Sequence, residues 1–100
     1  MPHVVITEQA IGDFQRLQDF LEEKSPAAAT YAVQKITKAL LLLENFPDIG
    51  QHSDDLLDNQ RELLVDYGKN GYVVLYEKSG DGALVFIVAI RHQLESGYIK

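Results

Sequence analysis

Arg61, Arg91 and His92 are the side chains of this sequence whose types and neighbours point most directly to chemistry. Arg91 follows eight apolar residues, Ala83 to Ile90, and so carries a guanidinium to the rim of a buried segment. Such a fork can grip a partner's carboxylate bidentately, or pair within the chain with Glu62 or Asp66. For Arg91 both readings stay open; for Arg61 the internal pair is the simpler one. His92 offers a general base, but no carboxylate is fixed beside it by the sequence, and the adjacent guanidinium works against its charged form. A structural or interface role fits it better. His3, His52 and His92 are too scattered for a metal site, and Asp54, Asp55 and Asp58 lack the glycine and terminal glutamate of a calcium loop. They read as a solvated acidic loop. Gly68-Lys69-Asn70-Gly71 sets a lysine among glycines without phosphate-loop spacing, and leads into a strand rather than a helix. There is no Gly-x-Ser-x-Gly elbow and no cysteine, which excludes a hydrolase triad of that type, a thiolate nucleophile, a disulfide scaffold and a Cys-ligated zinc. No cofactor and no metal are expected.

The elements that must position these residues fit in one domain, residues 1–100. The chain has 100 residues, 46% of them hydrophobic, enough for a single core and too apolar for a disordered tail. Fifteen acids oppose nine bases, for a net charge of -6, which argues against binding through phosphate backbones. The acidic excess lies before residue 61. The N-terminus lacks the basic region and cleavage site of a signal peptide, and the longest apolar run outside the strands, Ala39 to Leu43, is far short of the roughly 20 residues of a membrane span. We expect a cytoplasmic protein with no membrane partner.

His3 to Ile6 reads as a short strand, and Thr7 as the N-cap of a helix whose Ile11, Phe14, Leu17 and Leu21 recur on one face. Asp13, Asp19, Glu22 and Glu23 are placed on its outer, acidic face. Ser25-Pro26 restarts the chain as a second helix, with Ala29, Ala32, Val33, Ile36, Leu40 and Leu43 as its buried stripe. Residues 8–45 should therefore form an antiparallel helical hairpin. Phe46-Pro47-Asp48-Ile49-Gly50 stops it, and residues 51–60 read as loop. Three strands follow, around 62–67, 72–78 and 83–91, rich in Val, Ile, Leu and aromatics. The glycines of 68–71 and 79–82 supply the positive φ that hairpin turns require. The fold class is α+β, ordered β-α-α-β-β-β, with the hairpin packed on a mainly antiparallel four-stranded sheet that the first strand joins.

This order, with these residues, resembles the RelE/ParE superfamily of toxins from type II toxin–antitoxin systems, in its ParE-like branch, the plasmid stabilisation proteins. The likeness rests on Arg61-Glu62-Leu63, Tyr67-Gly68-x-x-Gly71-Tyr72-Val73-Val74-Leu75-Tyr76, Val88-Ala89-Ile90-Arg91-His92-Gln93 and Gly97-Tyr98. Phe14-x-x-Leu17-x-x-Phe20-Leu21, Ser25-Pro26-x-Ala28-Ala29, Ala39-Leu40-x-x-Leu43 and Phe46-Pro47-x-x-Gly50 match in order through the first half.

The resemblance implies a poison held inactive by a cognate antitoxin that wraps around it as a hetero-oligomer, with DNA gyrase as the target of ParE-like members and ribosome-bound mRNA as the substrate of RelE-like ones. With this acidic balance, no direct sequence-specific DNA binding by this chain alone is expected. Metal-free mRNA cleavage needs cations to neutralise the scissile phosphate. Where cleaving members carry basic residues, this sequence has Leu64, Asp66, Val73 and Gln93, and Tyr98 stands as a phenol with no cationic partner. The expectation is an inhibitor without catalytic residues, in which Arg61, Arg91, His92 and Tyr98 contact target or antitoxin. The alternatives are a RelE-like endoribonuclease, or a copy that has lost toxicity and only binds antitoxin, since related toxins are commonly basic and this one is not.

Overall fold

Residues 2–67, 70–95, 97 and 98 are described by the structure, a computed structural model. Its elements are β1 (His3–Ile6), α1 (Glu8–Lys24), α2 (Pro26–Asn45), β2 (Gln60–Tyr67), β3 (Asn70–Lys78) and β4 (Leu84–His92), in the expected order. Thr7 caps α1, its hydroxyl oxygen accepting the Ala10 N–H at 3.3 Å and donating in turn to the Ile87 carbonyl at 2.7 Å. One side chain thus starts the helix and ties it to β4. Ser25 serves both helices: its N–H closes α1 on the Leu21 carbonyl at 2.8 Å, and its hydroxyl accepts the Ala28 N–H at 3.2 Å to open α2. A one-residue connection leaves only the hairpin geometry, in which the start of α1 lies beside the end of α2.

The sheet order is β1-β4-β3-β2, with β1 parallel to β4 and the other pairs antiparallel. In β4 the register slips at Val88, so that Tyr76 faces Ile87 while Leu75 faces Ala89. The hairpin covers one face. There Leu63, Val65, Tyr72, Val74, Tyr76, Val85, Ile87 and Ile90 meet Ala10, Leu17, Ala32, Ile36, Leu40 and Leu43. Full burial of an aliphatic side chain of this size contributes about 1.5–3 kcal/mol, so this layer holds the fold.

Two positions of α1 depart from the sequence reading. Ile11 is 57% exposed, whereas Asp13, assigned to the acidic outer face, is 5% exposed. The reason lies in the sheet edge. β1 ends at Ile6, opposite Ile87, so β4 beyond that point has no strand partner on that side. The buried N–H of Ile90 would be unsatisfied there, and the Asp13 carboxylate accepts it at 2.9 Å.

The glycines also divide. Gly82 has the positive φ (73°) expected of its turn. Gly71 is required for another reason: a Cβ there would sit 2.1 Å from the Val65 carbonyl oxygen, far inside the closest approach of a Cβ to a non-bonded heavy atom. Gly68 and Lys69 lie outside the described residues. The expected loop 51–60 is shorter than read, since Gln51 bridges Glu62 through both backbone groups and Gln60 begins β2.

Candidate functional site

The face of the sheet away from the hairpin buries Val73, Leu75 and Ala89 although no helix covers it. Tyr98 lies across part of it. Alternation along β2 and β4 puts Glu62 and Arg91 on this face, opposite Leu75 and Val73 of β3 respectively. Tyr98 spans the strand between them: its hydroxyl donates to the Glu62 carboxylate, and the Arg91 guanidinium lies 5.2 Å from its ring centroid. Nη1 of Arg91 is directed to the carbonyls of His92, Gln93 and Glu95 at 3.1–3.4 Å, which curls the segment back on itself. Burial, then the hydrogen bond to the Glu62 carboxylate, push the Tyr98 phenol well above its ordinary pKa, against the opposing pull of Arg91. The phenol is held protonated.

Arg91 and Tyr98, two of the four residues singled out in the sequence, are therefore brought together. The phenol does have a cationic neighbour, contrary to the sequence reading, because the tail folds back over a strand end that sequence spacing does not show. Leu64, Asp66 and Val73 lie on the same sheet face by alternation, and the carboxylate that meets Tyr98 there is Glu62. Neither possible ion pair of Arg91 with Glu62 or Asp66 occurs among the described residues.

His92 faces the hairpin instead. Its ring meets Tyr72 edge-on at 5.5 Å, and its Nδ1 accepts the Leu94 N–H at 3.1 Å. It borders a cleft of about 490 Å³ whose walls include Leu17, Phe20 and Leu94. Arg16 crosses the floor, reaching Glu95 at 3.1 Å and Asp13 at 3.7 Å. Glu95 also accepts the His92 N–H at 2.8 Å. Asp13, Arg16 and Glu95 thus pin the C-terminal segment to α1. Sequence reasoning missed this set, although a signal existed: Ala10, Asp13 and Leu17 recur at three- and four-residue steps on the stripe that faces β4. A second cleft, about 390 Å³, runs between the start of α1 and the end of α2, with Val4, Ile6, Ile11, Phe14 and Leu41 among its walls. Ile11 and Ile6 are exposed along it.

Arg61 is far from the other three in role. It stands opposite Tyr76 on the hairpin side and donates to the Gly50 carbonyl at 2.8 Å, with the Asp48 carboxylate 4.0 Å away. Its partners are the loop after α2 rather than Glu62 or Asp66. Tyr76 completes the support: its hydroxyl accepts the Gly50 N–H at 2.9 Å and donates to the Pro47 carbonyl at 2.7 Å. Burial raises the Tyr76 pKa, opposed by the Gly50 N–H and Arg61. Asp48 is exposed and titrates below the usual carboxylate range, chiefly through its hydrogen bond with Lys78. Among the described residues, no three His, Cys, Asp or Glu side chains are gathered as a metal would need, and no helix is long and apolar enough to cross a membrane.

Comparison with known proteins agrees over nearly the whole chain. Residues 4–97 match a family model described as the ParE toxin of the type II toxin–antitoxin system parDE. The chain is 34% identical over 95 residues to Toxin RelE3 of Caulobacter vibrioides, covering 95% of this chain and 98% of that relative. A solved structure of the chromosomal ParDE toxin–antitoxin system from P. aeruginosa shares the fold with a TM-score of 0.72 and 19% identity, over 92% of this chain and 96% of that one.

Proposed function

Because the chain belongs to the ParE toxin family of type II toxin–antitoxin systems, we propose that it poisons its target by binding it, with DNA gyrase as that target and no cleavage of RNA. Its role is the toxin of such a module, and the role implies an antitoxin partner. The observation that carries the binding reading is the state of the tail site: the Tyr98 phenol is held neutral by burial and by a carboxylate, and Nη1 of the neighbouring guanidinium is directed to backbone carbonyls. A scissile phosphate placed beside Tyr98 would meet the Glu62 carboxylate, with Arg91 the one cation beside the ring among the described residues and its Nη1 already directed to backbone carbonyls.

Arg91 and Tyr98 contact the target in this reading, through an apolar ring on a fixed guanidinium rather than through chemistry. The two clefts flanking α1 are the seats of the antitoxin, filled by amphipathic segments that order on binding, and His92 belongs to that interface. Arg61 takes part indirectly by fixing the loop after α2. Both partners act in the cytoplasm. The test is induction in cells, followed by plasmid topology and mapping of transcript ends. Gyrase poisoning gives relaxed plasmid or trapped breaks with intact transcripts. Codon-spaced cuts in ribosome-bound mRNA, lost in Tyr98→Phe, would overturn the proposal in favour of a ribonuclease.

A further inference from the structure

The outer face of α2 differs in charge from the rest of this acidic molecule. α1 carries Glu8, Asp13, Asp19, Glu22 and Glu23 against Arg16 and Lys24, whereas α2 carries Lys35 and Lys38 against Glu44 alone. Tyr31, Lys35, Lys38 and Leu42 follow one another at four-, three- and four-residue steps, which places them in one stripe along the helix. Glu44 is not in it. Tyr31 and Leu42 are about half exposed, and Lys35 lies 6.0 Å from the Tyr31 ring centroid. Lys38 is exposed and has no ion-pair partner among the described residues. Among the described residues elsewhere, Arg16 is engaged with Glu95, Arg61 with Gly50, Lys78 with Asp48 and Arg91 with the tail, while Lys24 lies 5.0 Å from the Phe20 ring centroid.

The stripe does not end with the helix. Phe46, four residues past Leu42, still donates its N–H to the Leu42 carbonyl at 2.8 Å, and Ile49 donates to Phe46 at 3.2 Å. Both side chains are turned to solvent, Phe46 59% and Ile49 42% exposed. The loop that displays them is nonetheless firmly held by Tyr76, Arg61 and the Gln51–Glu62 bridge, and Gly50 is packed so closely that a Cβ would meet Tyr76 Oη at 2.6 Å. A rigid support for exposed apolar side chains keeps the ordering cost of binding low.

We propose that Tyr31, Lys35, Lys38, Leu42, Phe46 and Ile49 form the surface that docks an acidic, apolar-faced segment of the protein target. The inference rests on the reading of the chain as a toxin that acts by binding a protein. Charge complementarity selects the partner: two lysines in line with three apolar side chains match a helix or strand carrying acids beside leucine-like residues. Two cations are too few, and the apolar share too large, for a nucleic-acid backbone. The stripe is also separate from both clefts assigned to the antitoxin, whose α2 walls are Thr37, Leu40, Leu41 and Glu44.

The test titrates the full chain with three labelled probes: an 18-residue amphipathic peptide of Leu and Glu, its Leu and Lys counterpart, and a single-stranded oligodeoxynucleotide. We expect the acidic peptide to bind, with amide-exchange protection confined to α2 and residues 46–50, and K35E/K38E to weaken it at least 10-fold. F46S should weaken it without altering the salt dependence. K35E/K38E should melt as the wild type does and still form the antitoxin complex. Preference for the basic peptide or the oligonucleotide, equal binding by K35E/K38E, or a parallel loss of antitoxin binding would each overturn the assignment. Failure of gyrase inhibition by the wild type would instead overturn the proposed function, and leaves the peptide titration to decide this surface.

Discussion

Replacing Asp13 tests the account of how α1 is fixed on the sheet. In Asp13→Ala the N–H of Ile90, a fully buried residue, loses its acceptor, and an unsatisfied buried donor costs about 1–3 kcal/mol. Arg16 also loses a carboxylate at 3.7 Å, but its side chain is 35% exposed and keeps Glu95 at 3.1 Å. That second loss therefore falls well below the roughly 3–5 kcal/mol of breaking a fully buried pair. Together we expect about 2–3 kcal/mol, or about 10–20 °C in Tm for a domain of this size. Asp13→Asn keeps a carbonyl oxygen for Ile90 and should cost about 1 kcal/mol. Asp19→Ala, at an exposed carboxylate that accepts a hydrogen bond from Gln15, should stay within about 0.5 kcal/mol. Urea denaturation followed by circular dichroism, with m-values unchanged, measures all three. Asp13→Ala as stable as Asp19→Ala would refute the argument that a carboxylate closes the open edge of β4. So would Asp13→Asn as damaging as Asp13→Ala, because the charge and not the acceptor would then matter.

Gly50→Ala should lose about 1–3 kcal/mol, since its Cβ would fall 2.6 Å from Tyr76 Oη and 2.9 Å from the Glu62 carbonyl; thermal melts report it. Tyr76→Phe leaves the buried Gly50 N–H without its acceptor and should cost about 1–3 kcal/mol in the same assay. The raised pKa values of Tyr76 and Tyr98 mean that the unfolded chain ionises first, near pH 10. Stability is thus intact below that pH and falls as pH rises past it toward the folded-state values, and Tyr98→Phe should flatten the fall in urea melts taken at pH 9 and 11. A wild-type slope unchanged by the substitution would show that Tyr98 is not the delayed phenol.

What the sequence made legible was the part governed by local periodicity. The caps at Thr7 and Ser25, the alanine stripe of α2 and the apolar strands β3 and β4 each follow from neighbours within a few residues, so the fold could be built from them. Asp13 escaped because Ala10, a small residue, marks the buried face less visibly than Ile11, and because its partner, the Ile90 N–H, exists only once β1 is known to end at Ile6. The candidate site was legible by residue type and not by arrangement. Arg91 and Tyr98 were picked out, but their contact depends on the tail crossing β3, and Glu62 as the phenol's acceptor depends on the β2–β3 register. The partners of Arg61, Gly50 and Asp48, are not legible in the sequence because they belong to a loop whose path no periodicity describes.

Supercoiling of relaxed plasmid by purified DNA gyrase, with the isolated protein added and then with its antitoxin restored, tests the central claim most directly. Binding-mode poisoning predicts inhibition or trapped cleavage at stoichiometric protein, relieved by the antitoxin and unaffected in kind by Tyr98→Phe. Full gyrase activity in large excess of the folded protein would contradict it.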